Sequence, residues 1–439
     1  MASAGVDLLF DSSAWAAIGV VENLSHVIPL TRAKNSLVSK WIRQRPDLFI
    51  PIDFGYFNVR LASPIHAAGI PVLYYFPPRS WSQQTKASPL LKASVDAVAT
   101  PFPWSAQVLQ QAGVPAAFVG HPLLDTIASA PRRSVLHQEW DLDPAAPIFA
   151  LLPGSRDHEV RHLWPTLLQA ARLILNKEPH AQFLTPVAPT IDIHKIQRDT
   201  QRLWARISRK EHERRSAASE QQERYRLNQR VVEIERKPEA RTPELWSNRN
   251  QDESGIRNPD SLPLRLVEGR TGDVLGACDI AAVCSGTAAL EAAVQARPMV
   301  VIYRGSTVMA LEWRLRKPHL AIPFIGMPNI LAGRSIVTEL IQEAATPEAI
   351  AREALELLHS EPRSQQMMKD LRDVAQILGF PGAIERTAQL ALGMARGEPI
   401  KDLLPKANIA ETVRGGDVLN DPPVQPGAAP PSAAKQRGF

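Results

Sequence analysis

Cysteine is almost missing: Cys278 and Cys284 are the only two among 439 residues. Two thiols cannot build a disulfide framework, and they lack the paired spacing of a zinc site. A small stapled secreted domain is excluded, and a reducing, cytoplasmic setting is the expectation. No apolar run approaches the 18 or so residues that a spanning helix needs. The opening MASAGVDLL has no basic stretch followed by an apolar one, so nothing reads as a secretory signal. An excess of one charge is missing too, since 50 Lys and Arg stand against 45 Asp and Glu. The net charge of +5 permits contact with phosphates or anionic lipid without demanding it. There is no Walker A sequence, no G-x-S-x-G, no H-E-x-x-H among the 11 histidines, and no repeat of fixed period.

What is present is α/β grammar, run through twice. PDLFIPID (46–53), PVLYYF (71–76), DAVA (97–100) and AFVG (117–120) are short apolar strands separated by helical lengths. A second pass starts at IFALLPGSR (148–156), with a helix over 157–175. It continues through QFLTPV (182–187), LPLRLVEG (262–269), DIAAVCSGT (279–287), a helix near 288–295 and PMVVIYR (298–304). These strands are rich in Val, Ile and Leu without strict alternation, as expected of parallel strands covered on both faces. The expected fold class is α/β, with a first domain over 1–144 and a second over 145–396. Residues 195–260 are dense in charge of both signs and read as an exposed insertion, partly helical or disordered, outside both cores. Its cations could meet nucleic acid or lipid, but the near balance of acids favours a solvated surface. Residues 397–439 are Pro/Ala-rich and read as a disordered tail.

Two turns carry candidate chemistry. In LLPGSRDHE (151–159) a strand ends, Gly154 lets backbone approach a ligand, and a helix starts whose free N–H groups favour phosphate oxygens. Arg156 can offer a fork to a diphosphate, and Glu159 lies on the same helix face. The plainer alternative is that Ser155 caps a helix and Arg156 pairs with Glu159. CSGTAALEAAV (284–294) repeats the design with Ser285, Gly286 and Thr287, and Glu291 one turn in could accept from a ribose. Two such turns at strand ends of one sheet fit the crevice rule and favour a nucleotide diphosphate. FIGMPNILAGRSIVTEL (324–340) places Asn329 and Arg334 in an expected loop before a helix, suited to sugar or phosphate. Asp53 ends a strand and is a candidate general base, or else a turn former. His121 follows a strand end and has no evident role. Residues 29–45 form a basic amphipathic helix, suited to a core or to an anionic membrane.

FVGHPLLD (118–125), LLPGSRDHEV (151–160), SGTAALE (285–291), PMVVIYR (298–304) and PNILAGR (328–334) occur in the order and spacing seen in the lipid-A-disaccharide synthases. PDLFIPIDFGYFNVRLA (46–62) resembles that family's P-D-x-F-I-G-I-D-x-P-D-F-N-x-R-L-A. The resemblance implies a GT-B glycosyltransferase, two Rossmann-like domains facing a cleft. It also implies an inverting reaction that moves 2,3-diacylglucosamine from UDP to 2,3-diacylglucosamine 1-phosphate (lipid X). No metal and no cofactor are implied, nor any nucleic acid. The setting implied is the inner face of the cytoplasmic membrane, with a homodimer left open. Residue by residue, Asp53 matches the first Asp of G-I-D-x-P-D-F-N and becomes the candidate base. Arg156 and Glu159 match G-S-R-x-x-E; Ser285, Gly286, Thr287 and Glu291 match S-G-T-x-x-L-E; Asn329 and Arg334 match P-N-L-L-A-G-R.

Departures cluster in the first half. Gly55 and Tyr56 replace the Pro and second Asp of the D-x-P-D-F-N loop, and YFPPRSW (75–81) replaces Y-V-S-P-S-V-W. The family opens on a strand and a G-E-x-S-G-D-x-x-G turn that this sequence does not contain, so an incomplete first domain is expected. A UDP-sugar epimerase, a transferase with another acceptor, and a non-catalytic UDP-sugar-binding paralogue are the alternatives.

Overall fold

The computed structural model describes residues 5–9, 27–78, 80, 88–128, 130–236, 262–305 and 324–409. The chain divides into two compact units. One holds residues 27–125 and 376 onward, with 331–334; the other holds 126–330 and 335–375.

The first unit begins with α1 (Val27–Gln44) and α2 (Gly55–Ala67), then β1 (Leu73–Tyr75), α3 (Pro89–Lys92), β2 (Ala97–Thr100), α4 (Pro103–Gln111) and β3 (Ala116–Phe118). Its strands are parallel, in the order β1-β2-β3. Phe49 and Ile52 bridge to Val72 and Tyr75, so the expected strand over 46–53 is an extended stretch on the free edge of β1. Side chains alternate between two faces. Tyr74, Val98 and Ala116 join Leu37, Val59, Ile65 and Leu109 in one core. Leu73, Ala97, Ala99 and Ala117 point the other way, onto helices that come from the end of the chain.

The second unit is entered through α5 (Pro122–Ala128) and α6 (Arg133–Glu139). It then runs β4 (Ile148–Leu152), α7 (Asp157–Leu175), β5 (Gln182–Val187), α8 (Ile193–Arg236), β6 (Leu264–Glu268), α9 (Thr271–Ala277), β7 (Ile280–Cys284), α10 (Thr287–Val294) and β8 (Met299–Tyr303). It closes with α11 (Met327–Ala332), β9 (Thr338–Ile341), α12 (Pro347–His359) and α13 (Glu361–Ile377). Its six parallel strands are ordered β6-β5-β4-β7-β8-β9. Strands β4, β5 and β7 are buried along their whole length, which is why they read as continuous apolar runs. The strand order reverses between β4 and β7, and there a doubly wound sheet opens a crevice at its carboxyl edge.

Four expectations are corrected. The second domain does not extend to 396: from Gln376 the chain belongs to the first unit, where α14 (Ala383–Ala395) and α15 (Ile400–Ala407) supply Leu390, Met394, Leu403 and Ala407 to the core. Of the tail expected over 397–439, residues Ile400–Ala407 form α15, and residues 410–439 lie outside the described ones. The insertion expected outside the core begins as part of it. Along α8, Ile196 and Trp204 are 3% and 5% exposed, Trp164 Nε1 donates to Thr200 Oγ1 at 2.9 Å, and Arg172 stacks over the Trp204 ring. Residues 237–261 of that insertion are outside the described set. Finally, Asn329 sits in the short helix α11, followed by β9, where a loop before a helix was expected.

Candidate active site

At the switch point, the carboxyl ends of β4, β5 and β7 enclose a pocket of about 220 Å³. Gly154, Arg156, Glu159, Ser285, Thr287 and Glu291 line it, with Pro186 and Ala188 after β5 and Thr271 at the start of α9. The two turns singled out in the sequence are thus one site. Thr271 was missed; its signal was the Gly-Arg-Thr-Gly turn closing β6.

The two helix starts are in different states. At α7, the Glu159 carboxylate accepts from the backbone N–H of Ser155 at 2.9 Å and of Arg156 at 3.2 Å. It also accepts from Arg156 Nη1 at 2.9 Å. The protein's own carboxylate therefore occupies the N–H groups that the sequence offered to a phosphate. Gly154 makes this possible. Its φ is 111°, and a β-carbon there would come within 2.4 Å of Glu159 Oε2. At α10 no side chain of the described residues caps the start. Gly286 is extended, and among the described residues a β-carbon on it would meet nothing within 4 Å, which leaves room for a ligand in front of α10. Ser285 anchors that turn: its N–H donates to Ile302 O, and its Oγ donates to Ile325 O at 2.8 Å.

Glu291, half-buried one turn into α10, has no hydrogen-bond partner for its carboxylate among the described residues. Burial holds its pKa above the ordinary carboxylate range. Such a group lacks a donor, and a pair of sugar hydroxyls would supply one. Arg156 is the only basic side chain among the described residues lining the pocket. Cys284 also lines it, but burial first, then Glu159, pushes its thiol up to about 12, so it is not a nucleophile.

Asn329 and Arg334 are not brought to this pocket. Asn329 is fully buried. Its Nδ2 donates to Val337 O at 2.9 Å and Glu339 Oε1 at 2.8 Å. Its Oδ1 accepts from the N–H of Ile336 and Val337 at 2.7 and 2.9 Å. No capacity is left for a ligand. Glu339 in turn holds the N–H of Ile325 and Gly326, and Ile325 O holds Ser285, so Asn329 braces the turn before α10 from behind. Arg334 is exposed in the turn after α11.

In the first unit, Asp53 and Phe54 are consecutive residues with left-handed backbone, at φ 48° and 42°. Such positions are strained for side chains with a β-carbon and persist where the surroundings hold them. Here the Asp53 carbonyl accepts from Tyr74 Oη at 2.8 Å and Asn58 Nδ2 at 2.9 Å, and its N–H donates to Tyr75 O at 3.0 Å. The backbone is pinned on three sides while the side chain stays exposed. Gly55 is required next to it, since a β-carbon would come within 2.4 Å of Pro78. The Tyr56 side chain lies outside the described set.

The FVGHPLLD stretch also gains a physical meaning. Asp125 caps α14 by accepting from Gly382, from Ala383 at 3.3 Å and from Ile384 at 2.8 Å. His121 is 5% exposed, edge-on to Phe76 and Phe102 at 5.4 and 5.7 Å. Leu123 N–H donates to its Nδ1 at 3.2 Å, and burial pushes its pKa down to about 4, so the ring is neutral at physiological pH.

A family model described as lipid-A-disaccharide synthetase matches residues 1–221 and 249–392. The chain belongs to that family. A lipid-A-disaccharide synthase of Nitrosococcus oceani is 34% identical over 398 residues, 91% of this chain and 87% of the relative. One of Syntrophus aciditrophicus is 32% identical, over 90% and 88%. Among solved structures, the chain is similar to a putative UDP-N-acetylglucosamine 2-epimerase from Listeria monocytogenes, with 12% identity, a TM-score of 0.48, and 84% and 79% of the two chains covered. The family expected from the motifs is the family found. Between its two matched stretches the family model skips residues 222–248, inside the charged segment.

Proposed function

We propose that this protein transfers 2,3-diacylglucosamine from UDP to the 6-hydroxyl of 2,3-diacylglucosamine 1-phosphate, forming a β-1,6-linked disaccharide and releasing UDP. Family membership supports the reaction class. The observation that carries the donor side is the pocket at the β4/β7 switch point, where an uncapped helix start, one arginine and one unpartnered carboxylate converge.

In this reading the diphosphate lies on the N–H groups at the start of α10, where the helix dipole favours negative charge. Arg156 adds a charge-assisted contact once it turns from Glu159 to the phosphate. Glu291 accepts from the ribose hydroxyls. Ser285, Gly286 and Thr287 form the turn that the diphosphate approaches. Glu159 holds the α7 start in shape, and Asn329 braces the Ser285 turn. Asp53 takes the proton of the acceptor hydroxyl as its oxygen attacks the anomeric carbon. The departing charge is met by the α10 start and Arg156, so the developing anion is stabilised by fixed dipoles and a cation. Both substrates carry acyl chains, so the protein works against a bilayer surface, at the inner face of the cytoplasmic membrane. No helix of the described residues is long and apolar enough to cross one.

Incubation with the UDP-linked donor and the 1-phosphorylated acceptor tests the reading by mass spectrometry. Disaccharide and UDP should appear in equal amounts. Donor epimerisation, transfer to another acceptor only, or UDP-sugar binding with no turnover would each replace it.

A further inference from the structure

We propose that one face of α8 is the surface by which this protein lies on an anionic lipid bilayer. This deepens the reading above, which calls for a bilayer but assigns it no residues. Lys195, Arg198, Arg202, Arg206 and Arg209 recur at spacings of three, four, four and three. At 3.6 residues per turn they fall within an arc of about 80°, along about 21 Å of helix. All five side chains are exposed. The opposite face is fixed by Ile196, Thr200, Trp204 and Ser208, all buried. The helix therefore cannot roll to hide its cations.

The near balance of charge in the segment conceals this stripe, because from Lys195 to Arg209 the only acid is Asp199. Glu211 turns toward the body and holds Arg172 and Asn176. Asp199 is half-buried at the margin. Lys195 reaches Asp157 at 3.5 Å, and Asp192 has its pKa lowered by the backbone N–H of Lys195 first, then by that of His194, with a smaller attraction from Arg198. Glu213 ends the stripe one turn beyond Arg209. Arg202, Arg206 and Arg209 have no ion pair among the described residues. Arg161, exposed on α7, lines the same shallow depression as Arg202 and Arg206 and extends the positive field.

A polyanion could be nucleic acid or membrane, and the second flank of α8 decides between them. There α8 and the edge strand β6 bound a groove of about 1110 Å³, in which Trp204, Leu262, Leu264 and Leu266 form an apolar floor beside Gln201, Glu213 and Arg209 from α8. A duplex would offer phosphates to the cations and leave the leucines facing water. A bilayer offers phosphates and hydrocarbon together, and arginine stems cross between the two.

Co-sedimentation of the full chain with phosphatidylcholine vesicles, with and without phosphatidylglycerol, is the test. Each cation near an anionic surface contributes roughly fivefold to partitioning. Combined Arg202→Glu, Arg206→Glu and Arg209→Glu should therefore reduce binding to the anionic vesicles by at least about 100-fold. Circular dichroism, UDP affinity and turnover of detergent-dispersed substrates should stay as in wild type. The triple Arg→Gln protein should show a smaller loss in the same direction, and it carries the test if the Glu protein is poorly folded. Binding indifferent to phosphatidylglycerol, or to these substitutions, would overturn the proposal. So would a DNA duplex that binds more tightly than the vesicles at equal salt with the same sensitivity. Vesicle binding is measured without turnover, so a failure here is separable from a failure of the transferase reading.

Discussion

Gly154 and Glu159 are in such close contact that a β-carbon on the glycine would come within 2.4 Å of the Glu159 carboxylate. Gly286, on the matching turn, would place a side chain against none of the described residues. The two glycines therefore answer to different demands, one to the fold and one to the ligand. Gly154→Ala should destabilise the second unit by about 1–3 kcal/mol, through strain at positive φ and displacement of the carboxylate. Gly286→Ala should melt as wild type yet bind UDP at least about tenfold more weakly, a loss of about 1.4 kcal/mol. Calorimetry and thermal melts on both proteins check the contrast.

Glu291→Gln should stabilise the ligand-free protein at pH 7 and weaken UDP. The carboxylate's raised pKa means that the folded state holds its proton more tightly than the unfolded state. The penalty is then fully present above the folded pKa and is relieved as pH falls toward the unfolded value. The stabilising effect of Gln should accordingly shrink in acid. UDP should lose about 1.5–3 kcal/mol, the worth of hydrogen bonds to a charged acceptor. A melting temperature that falls at pH 7 would contradict this.

Trp204→Ala should cost about 3–5 kcal/mol, because it empties a buried site between α8 and the sheet. Replacing 222–248, which the family model skips, with a short linker should leave the urea midpoint nearly unchanged. Equal effects of the two changes would show that α8 is not divided into a packed start and an added remainder.

His121 makes stability depend on pH in a known direction. Its folded pKa of about 4 lies below the unfolded value, so the unfolded state binds the proton first. Stability is full above about pH 6.5 and falls by up to about 3 kcal/mol as pH drops toward 4. Denaturant titrations of wild type and His121→Gln across that window should diverge at neutral pH and converge in acid.

Much of this was legible in the sequence. The strands of the second unit show as unbroken apolar runs because both faces are covered, and the two glycine turns announce themselves by spacing. Three things were hidden. The packed side of α8 spends only one residue per turn, two of them the polar Thr200 and Ser208, so periodicity does not stand out against the charge. Asn329 reads like any polar turn residue, and only the geometry of Ile336, Val337 and Glu339 shows that its hydrogen bonds are spent. The return of α14 and α15 to the first unit depends on alanines at 97, 99 and 117, whose small size has no pattern of its own.

The most direct test of the account is steady-state UDP release by Asp53→Asn beside wild type, with donor and acceptor both present, together with UDP affinity by calorimetry. General-base catalysis contributes about 10²–10⁴-fold, so kcat should fall by that factor while the UDP dissociation constant stays within about twofold. Asn keeps the backbone hydrogen bonds that pin this position, so the loss would belong to the carboxylate itself. Wild-type turnover by Asp53→Asn, or a parallel loss of UDP binding, would contradict the assignment of acceptor activation to Asp53 and of the donor to the β4/β7 pocket.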